Sequence, residues 1–173
     1  MTINTTRFGQ VDISNGDILA FPEGILGFAE LHKFVLLDDP NDDIFAWLQS
    51  CEEPGIAFPV LEPELFHENY KIGLAKADFE ALKMQTLEKA RLFCIITIPD
   101  EPTQMTANLK APIVINAEAK IARQCVLQDN SLAIREPVFA KLQQRVLSNP
   151  GKSIKSQSPA MDVAIRVQPD KNL

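Results

Sequence analysis

Cysteine is scarce in this sequence, and its few copies are not spaced as metal ligands. The three cysteines, Cys51, Cys94 and Cys125, are odd in number and lie far apart along the chain, so no pair has the spacing of a zinc site. Cys94 and Cys125 lie within apolar segments, where a free thiol packs as a small hydrophobic side chain. Free thiols are typical of a reducing compartment, and we therefore expect a cytoplasmic protein.

Long apolar segments are also missing. No stretch approaches the roughly 20 apolar residues that a membrane helix requires, and residues 1–10 are polar, without the apolar core of an export signal. We therefore expect no export and no membrane partner. The chain has 173 residues, of which 46% are hydrophobic, and this composition is typical of one globular domain.

Histidine occurs twice, and neither copy has the neighbours of a catalytic base. Nucleophilic catalysis requires a base beside the nucleophile, but His32 stands at the start of a predicted strand and His67 lies in an acidic loop. The sequence contains no G-x-S-x-G motif. Gly151–Ser153 resembles the end of a phosphate-binding loop, but Val146 stands where that motif requires glycine.

Neighbouring carboxylates predict no chemistry either. The pairs Asp38-Asp39, Asp42-Asp43 and Glu52-Glu53 lie in segments that we interpret as solvated loops, whereas glycoside hydrolysis needs one carboxyl group with a raised pKa. The aspartates also lack the glycine and the closing glutamate of an EF-hand calcium loop. We therefore expect no enzyme, no metal site and no cofactor.

Charge is distributed unevenly along the chain. Up to Ala140 there are 21 acidic and 11 basic residues, a net charge of −10, whereas from Lys141 onward six basic and two acidic residues give +4. An acidic body repels nucleic acid, so we expect no direct binding of nucleic acid. It attracts a basic protein through association rate and orientation, although many acidic proteins are acidic only for solubility.

The division of charge coincides with a change in composition. Residues 1–148 are predicted to form a single β-barrel-like domain, and residues 149–173 a polar, basic C-terminal tail that is partly disordered. Lys152–Pro159 consists mostly of Ser, Lys, Gln and Pro, a composition that does not bury a core. The tail carries the charge needed to fold onto the acidic body and compete with a basic partner, and we expect its deletion after Gly151 to leave folding intact.

The hydrophobic pattern predicts a mainly β fold, a small antiparallel sheet that is closed or barrel-like, with one or two short helices. Leu92–Ile98, Ala107–Asn116 and Ile121–Leu127 predict a central meander, and the first of these runs is apolar enough to be covered on both faces. One helix is expected near the C-terminus at Val138–Leu147. The other predicted strands are Thr5–Ile13, Ile18–Phe21, Lys33–Asp38, Ile44–Gln49, Ile56–Leu61, Tyr70–Leu74 and Ser131–Arg135.

Two local features remain open in the sequence. Pro59 interrupts its predicted strand and indicates an edge or a bulge. Ala77–Met84 fits either a helix or a strand, with Asp78 placed to cap a helix.

Several segments together resemble the FliW family of flagellar assembly factors. The longest and most specific is Met105–Asn116, with the sequence MTANLKAPIVIN. The others, in chain order, are Phe21–Phe28, Phe45–Ser50, Ile96–Pro99, Ala122–Gln124 and Arg135–Pro137. The resemblance extends from near the N-terminus to about Leu147.

This resemblance implies a small β-barrel-like regulator without catalytic activity. Members of the family bind flagellin in the cytoplasm before export, and they also bind CsrA, an RNA-binding repressor of translation. When flagellin leaves the cell, the freed factor sequesters CsrA and translation of flagellin resumes. The antagonism is non-competitive, because the factor docks beside the RNA surface and its negative charge opposes the RNA. The alternative is a small-molecule-binding β-barrel or enzyme with an internal cavity, which would show convergent polar groups.

Two segments are the candidate partner surfaces. The Pro22–Phe28 loop either folds back onto the core or serves a partner, and Met105 combines a flexible thioether with a predicted loop position. Asn108 and Asn116 also fit turn caps at strand ends. The predicted partner-binding residues are Glu23, Ile25, Leu26, Phe28, Met105, Asn108, Lys110 and Asn116.

Overall fold

The computed structural model of the protein describes residues 1–155 and 158–168. Its two α-helices are α1 (Lys76–Leu82) and α2 (Phe139–Ser148). Its strands are β1 (Thr2–Thr5), β2 (Gly9–Asp12), β3 (Leu19–Ala20), β4 (Lys33–Asp38), β5 (Ala46–Ser50), β6 (Ala57–Leu61), β7 (Ala90–Thr97), β8 (Thr106–Ala107), β9 (Ile113–Asn116), β10 (Ile121–Gln124), β11 (Glu136–Pro137) and β12 (Ile165–Arg166).

Seven of these strands close into a barrel. Antiparallel pairs join β3 to β4, β4 to β5, β5 to β6, β6 to β7, β7 to β9 and β9 to β10. A parallel pair between β10 and β3 completes the ring, and closure removes the free edges of the sheet except along β4 beyond the two-residue strand β3. The predicted closed antiparallel fold, its central meander and its helix near the C-terminus are confirmed, whereas the parallel pair is not signalled by the local sequence.

Alternation of side chains along the strands separates the barrel interior from its outer face. In β4, Phe34 and Leu36 pack with the interior cluster, whereas Val35 and Leu37 pack with the outer one. Barrel strands fill the interior with the apolar side chains of Leu19, Phe34, Leu36, Ala46, Leu48, Val60, Phe93, Ile113, Ile115 and Ala122. The interior is therefore a packed core.

Smaller elements cover the outer face of the barrel. The β1–β2 hairpin and α2 pack against it through Ile3, Val11 and Leu142. Helix α1 packs Leu82 against Val114 of β9. Because these layers cover the barrel strands on their second face, the strands are apolar in nearly every position, as the central run predicts.

Three predicted strands are wrong, and local polar groups explain two of them. The segment Thr5–Ile13 is a hairpin rather than one strand, because Thr5 Oγ1 accepts the N–H of Phe8 at 2.8 Å and turns the chain. Residues 70–74 form no strand. Residues 131–135 also form no strand, because Asp129 Oδ1 accepts the N–H of Ser131 at 2.9 Å in a turn.

The two open features are resolved by their surroundings. Residues 76–82 are helical, and Asp78 accepts the N–H of Ala75 at 3.2 Å at the helix start. Pro59 pairs with Trp47 of β5, but the pairing of β6 with β7 is confined to Val60 and Leu61. The missing N–H of Pro59 therefore falls where β6 has no second neighbour.

The three cysteines are free, as the sequence predicts. Burial raises the pKa of Cys51 to about 11 and the pKa values of Cys94 and Cys125 to about 12. The thiols therefore stay protonated at neutral pH.

The described part of the basic segment 149–173 packs against the barrel. Ile154 is only 1% exposed, and Ala160 and Val163 are buried in the interior cluster. Strand β12 pairs with β4. The boundary at residue 148 and the partial disorder of the segment stay predictions, and residues 156–157 and 169–173 lie outside the described residues.

Within residues 1–155 and 158–168, no helix has the length and apolar character needed to cross a membrane. The same residues contain no group of three or more His, Cys, Asp or Glu side chains placed to hold a metal ion.

Candidate functional site

The Pro22–Phe28 loop is a tight turn that depends on one glycine. Gly24 has a φ of +67°, and a Cβ added there would lie 2.5 Å from the carbonyl oxygen of Phe28 and 2.7 Å from Ala29 Cα. The N–H of Phe28 donates to the Ile25 carbonyl at 2.7 Å, and the N–H of Ile25 donates to the Phe28 carbonyl at 3.4 Å. A side chain at position 24 would therefore open this turn.

The same loop both anchors to the core and presents a side chain to solvent. Ile25 is buried in the interior cluster, and the half-buried ring of Phe28 contacts Phe58 edge to face with centroids 5.4 Å apart. Leu26, at the tip between them, is 64% exposed. Ile25 and Phe28 thus behave as a core-anchored turn, whereas Leu26 remains available to a partner.

Gln124 joins the two candidate segments that the sequence predicts. Its Oε1 accepts the N–H of Leu26 at 2.9 Å, and its Nε2 donates to the carbonyl of Ala111 at 3.1 Å. One side chain of β10 therefore holds the Leu26 tip against the loop that precedes β9.

Arg123, the neighbour of Gln124, fixes the other end of the loop. Its Nε donates to Asp78 Oδ1 at 2.8 Å, and its Nη1 donates to the carboxylate of Glu23. These hydrogen bonds, first to Glu23 and then to Asp78, raise the pKa of Arg123. A loop, a helix and a strand therefore meet at one guanidinium group.

Met105 is buried, although the sequence predicts it on a partner-binding surface. It is 7% exposed and packs in the outer core cluster, and its carbonyl accepts the N–H of Val138 before α2. The sequence places Met105 in a loop, but helix α2 covers that loop. Partner contact through this thioether would require the cover to move.

The two predicted asparagines hold turns. Asn108 Oδ1 accepts the N–H groups of Lys110 and Ala111 at 3.1 and 3.0 Å. Asn116 Oδ1 accepts two backbone N–H groups at 3.2 Å, and its Nδ2 donates to the Leu82 carbonyl at 2.8 Å. Both residues therefore act as turn caps, which is the alternative that the sequence left open.

Exposed and half-buried residues near the loop tip form one candidate surface, the Leu26 surface, which consists of Glu23, Leu26, Lys110 and Val126. Besides Leu26 and Glu23 it contains Lys110, whose Nζ donates to Asn130 Oδ1 at 2.8 Å. It also contains Val126, which is exposed, and whose neighbour Leu127 donates its N–H to the Lys110 carbonyl. The structure thus brings the Pro22–Phe28 loop and Lys110 together, and it leaves Met105 and Asn116 beneath the surface.

Arg123, Gln124 and Val126 are absent from the predicted partner-binding residues. Arg123 and Gln124 lie in a segment that resembles the family, Ala122–Gln124. The sequence signal that could have identified Arg123 and Gln124 is a pair of adjacent long polar side chains in an otherwise apolar strand.

A second feature of the outer face is an acidic cleft of about 400 Å³. Asp162 receives two hydrogen bonds from Arg91, at 2.8 and 2.6 Å, and this guanidinium lowers the pKa of Asp162. Burial raises the pKa of Glu62. The cleft is lined by the carboxylates of Glu62, Glu64, Glu88 and Asp162, of which Asp162 is paired with Arg91.

Comparison with known proteins gives a consistent result. The model of the family described as FliW protein matches residues 2–138. The flagellar assembly factor FliW of Bdellovibrio bacteriovorus is 67% identical over 167 residues, 96% of this chain and 95% of that protein. The factor of the same name from Thermoanaerobacter pseudethanolicus is 38% identical over 143 residues, 82% of this chain and 95% of that protein.

Solved structures agree with the sequence comparison. A crystal structure of the flagellar assembly factor FliW superimposes with a TM-score of 0.74 at 33% identity, covering 80% of this chain and 97% of that chain. The fold, the matched family model and these relatives lead to one assignment: this chain belongs to the FliW family of flagellar assembly factors.

Proposed function

We propose that this chain binds flagellin in the cytoplasm and antagonises the translational repressor CsrA non-competitively, and so controls flagellin translation. Membership of the FliW family is the observation that carries this proposal. The chain acts by contact with other proteins and carries out no reaction. The apolar filling of the barrel interior supports this role rather than a ligand-binding barrel.

The Leu26 surface is the contact that we assign to the protein partners. Its exposed leucine sits on a turn that Gly24, Arg123 and Gln124 hold in place, so little side-chain and loop ordering is required on binding. Exposed apolar residues on a fixed loop are suited to insertion into a partner's pocket. The acidic cleft provides long-range attraction for a basic partner.

Replacing Leu26 with aspartate is expected to weaken binding of flagellin or CsrA at least about tenfold, because a buried hot-spot side chain contributes about 2 kcal/mol. Binding of each purified partner is measured by isothermal titration calorimetry. The matched control is Leu147→Asp, on α2, where the wild-type leucine is 71% exposed. If Leu26→Asp binds both partners with wild-type affinity and its melting temperature is unchanged, the Leu26 surface is not the partner contact.

Raising the salt concentration is expected to weaken the inhibition of CsrA–RNA binding more than it weakens docking onto CsrA. Repulsion between exposed charges fades beyond roughly 8 Å at physiological ionic strength, whereas apolar contacts at the docked surface are not screened. Docking and RNA release are measured side by side at several salt concentrations. A parallel decline of both would contradict the charge-based mechanism.

A further inference from the structure

Strand β4 has an edge that its barrel neighbour leaves uncovered. β3 pairs with β4 only at Lys33 and Phe34, because β3 is two residues long. On the opposite side, β5 pairs with β4 as far as Leu37. The side that faces β3 is therefore open at Leu37 and Asp38 to any extended peptide.

The chain's own C-terminal residues occupy this edge. In β12, Ile165 pairs with Leu37 and Arg166 with Asp38, in parallel orientation. The N–H of Val167 donates to the carbonyl of Asp38 at 2.8 Å. The contact is thus a strand addition made within one molecule.

A buried lysine accompanies the added strand. The Lys155 ammonium lies 2.7 Å from Asp38 Oδ1 and donates to the carbonyls of Asp39 at 2.6 Å and Phe45 at 3.3 Å. Lys155 is buried. Two hydrogen bonds to carbonyls and an ion pair with Asp38 therefore compensate the buried charge of Lys155.

The residue before this lysine completes the contact. Ile154 donates its N–H to the Asp43 carbonyl at 2.8 Å and inserts its side chain into the outer core cluster. An apolar anchor, a lysine and a strand therefore follow one another along the acidic segment Asp38–Asp43. Between Lys155 and β12, Pro159–Val163 form a 3-10 helix whose Asp162 pairs with Arg91 of the barrel, so the basic contacts with the acidic edge are those of Lys155 and β12.

The β4 edge lies inside the range that the family model matches, residues 2–138, whereas the segment that occupies it lies outside that range. Burial of Ile154, Ala160 and Val163 stabilises the bound segment, whereas ordering its backbone opposes binding. The two contributions oppose each other, which favours reversible binding.

We propose that the acidic edge of β4 is a binding site for a basic, extended peptide, and that residues 153–155 and 158–167 occupy it as an autoinhibitory strap. A basic partner reaches this edge only by displacing the strap. The statement about the partner rests on the proposed function, whereas the peptide site itself does not.

The test converts the strap into a separate ligand. A protease recognition sequence is inserted at Pro150, in the exposed turn after α2, and the folded full-length protein is cleaved there. The released segment is expected to dissociate on dilution and to rebind saturably, measured by fluorescence anisotropy of a labelled segment. Lys155→Gln in the segment should weaken rebinding at least about tenfold, because the Asp38 carboxylate loses its cation. The control Lys152→Gln, at an exposed position outside the strap, should change it less than about twofold.

Three results would overturn the peptide site: a segment that stays attached until the barrel unfolds, one that never rebinds, or equal affinities for the Lys155 and Lys152 variants. Added CsrA is expected to release the labelled segment. If CsrA binds while the segment stays in place, the autoinhibition is refuted and the site stands. If the segment behaves as expected but CsrA does not bind at all, the proposed function fails and the peptide site is supported.

Discussion

Replacing Phe34 with alanine is expected to lower the free energy of unfolding by about 3–5 kcal/mol. Phe34 is fully buried at the barrel interior. Its ring lies edge to face with Phe21 at 5.0 Å and near Phe58 at 6.4 Å. Because Phe34 pairs with both β3 and β5, the space left by its ring cannot collapse without moving three strands, so most of the cavity cost remains.

The measurement is equilibrium unfolding in urea, with thermal unfolding as a second readout. A domain of this size shifts its melting temperature by about 2–4 °C per kcal/mol, so a fall of roughly 6–20 °C is expected. The matched control is Leu147→Ala, at an exposed position on α2, which should change stability by less than about 0.5 kcal/mol. A loss below about 1 kcal/mol for Phe34→Ala would contradict a close-packed barrel interior.

The sequence predicts β4 at its observed bounds because all the necessary information is local. Four consecutive apolar residues stand between Lys33 and Asp38, and this contrast marks both ends of the strand. The pairing of β3 with β10 carries no such signal, since Ala20 and Ile121 are brought together by closure of the whole ring. Local propensity and periodicity predict where a strand lies, but the strand it pairs with is determined by the topology of the whole barrel.

The same distinction explains the candidate site. The proline and glycines of Pro22–Phe28 identify a turn directly. Gln124 and Arg123, which hold that turn, are separated from Leu26 and Glu23 by 98 and 100 positions. The burial of Met105 is equally non-local, because it depends on where α2 packs.

Replacing Arg123 with methionine is expected to cost about 3 kcal/mol of stability, because it leaves a buried carboxylate without its cation. The Asp78 side chain is 10% exposed, and its Oδ1 is 2.8 Å from Arg123 Nε. Methionine retains much of the apolar stem of arginine, so the loss is one of charge and hydrogen bonds more than of packing. The matched control is Lys89→Met, whose ion pair with Glu118 is exposed on both sides and should contribute less than about 1 kcal/mol.

A double variant separates the fold from the contact surface. Asp78→Asn combined with Arg123→Met removes the unpaired charge, so much of the lost stability should return. The Glu23 end of the loop still lacks its partner in the double variant, so binding of flagellin or CsrA should stay weakened. Urea unfolding and calorimetric binding are measured on both single variants and on the double variant. Recovery of stability and of binding together would show that Arg123 supports only the barrel, and that the Leu26 tip keeps its position without it.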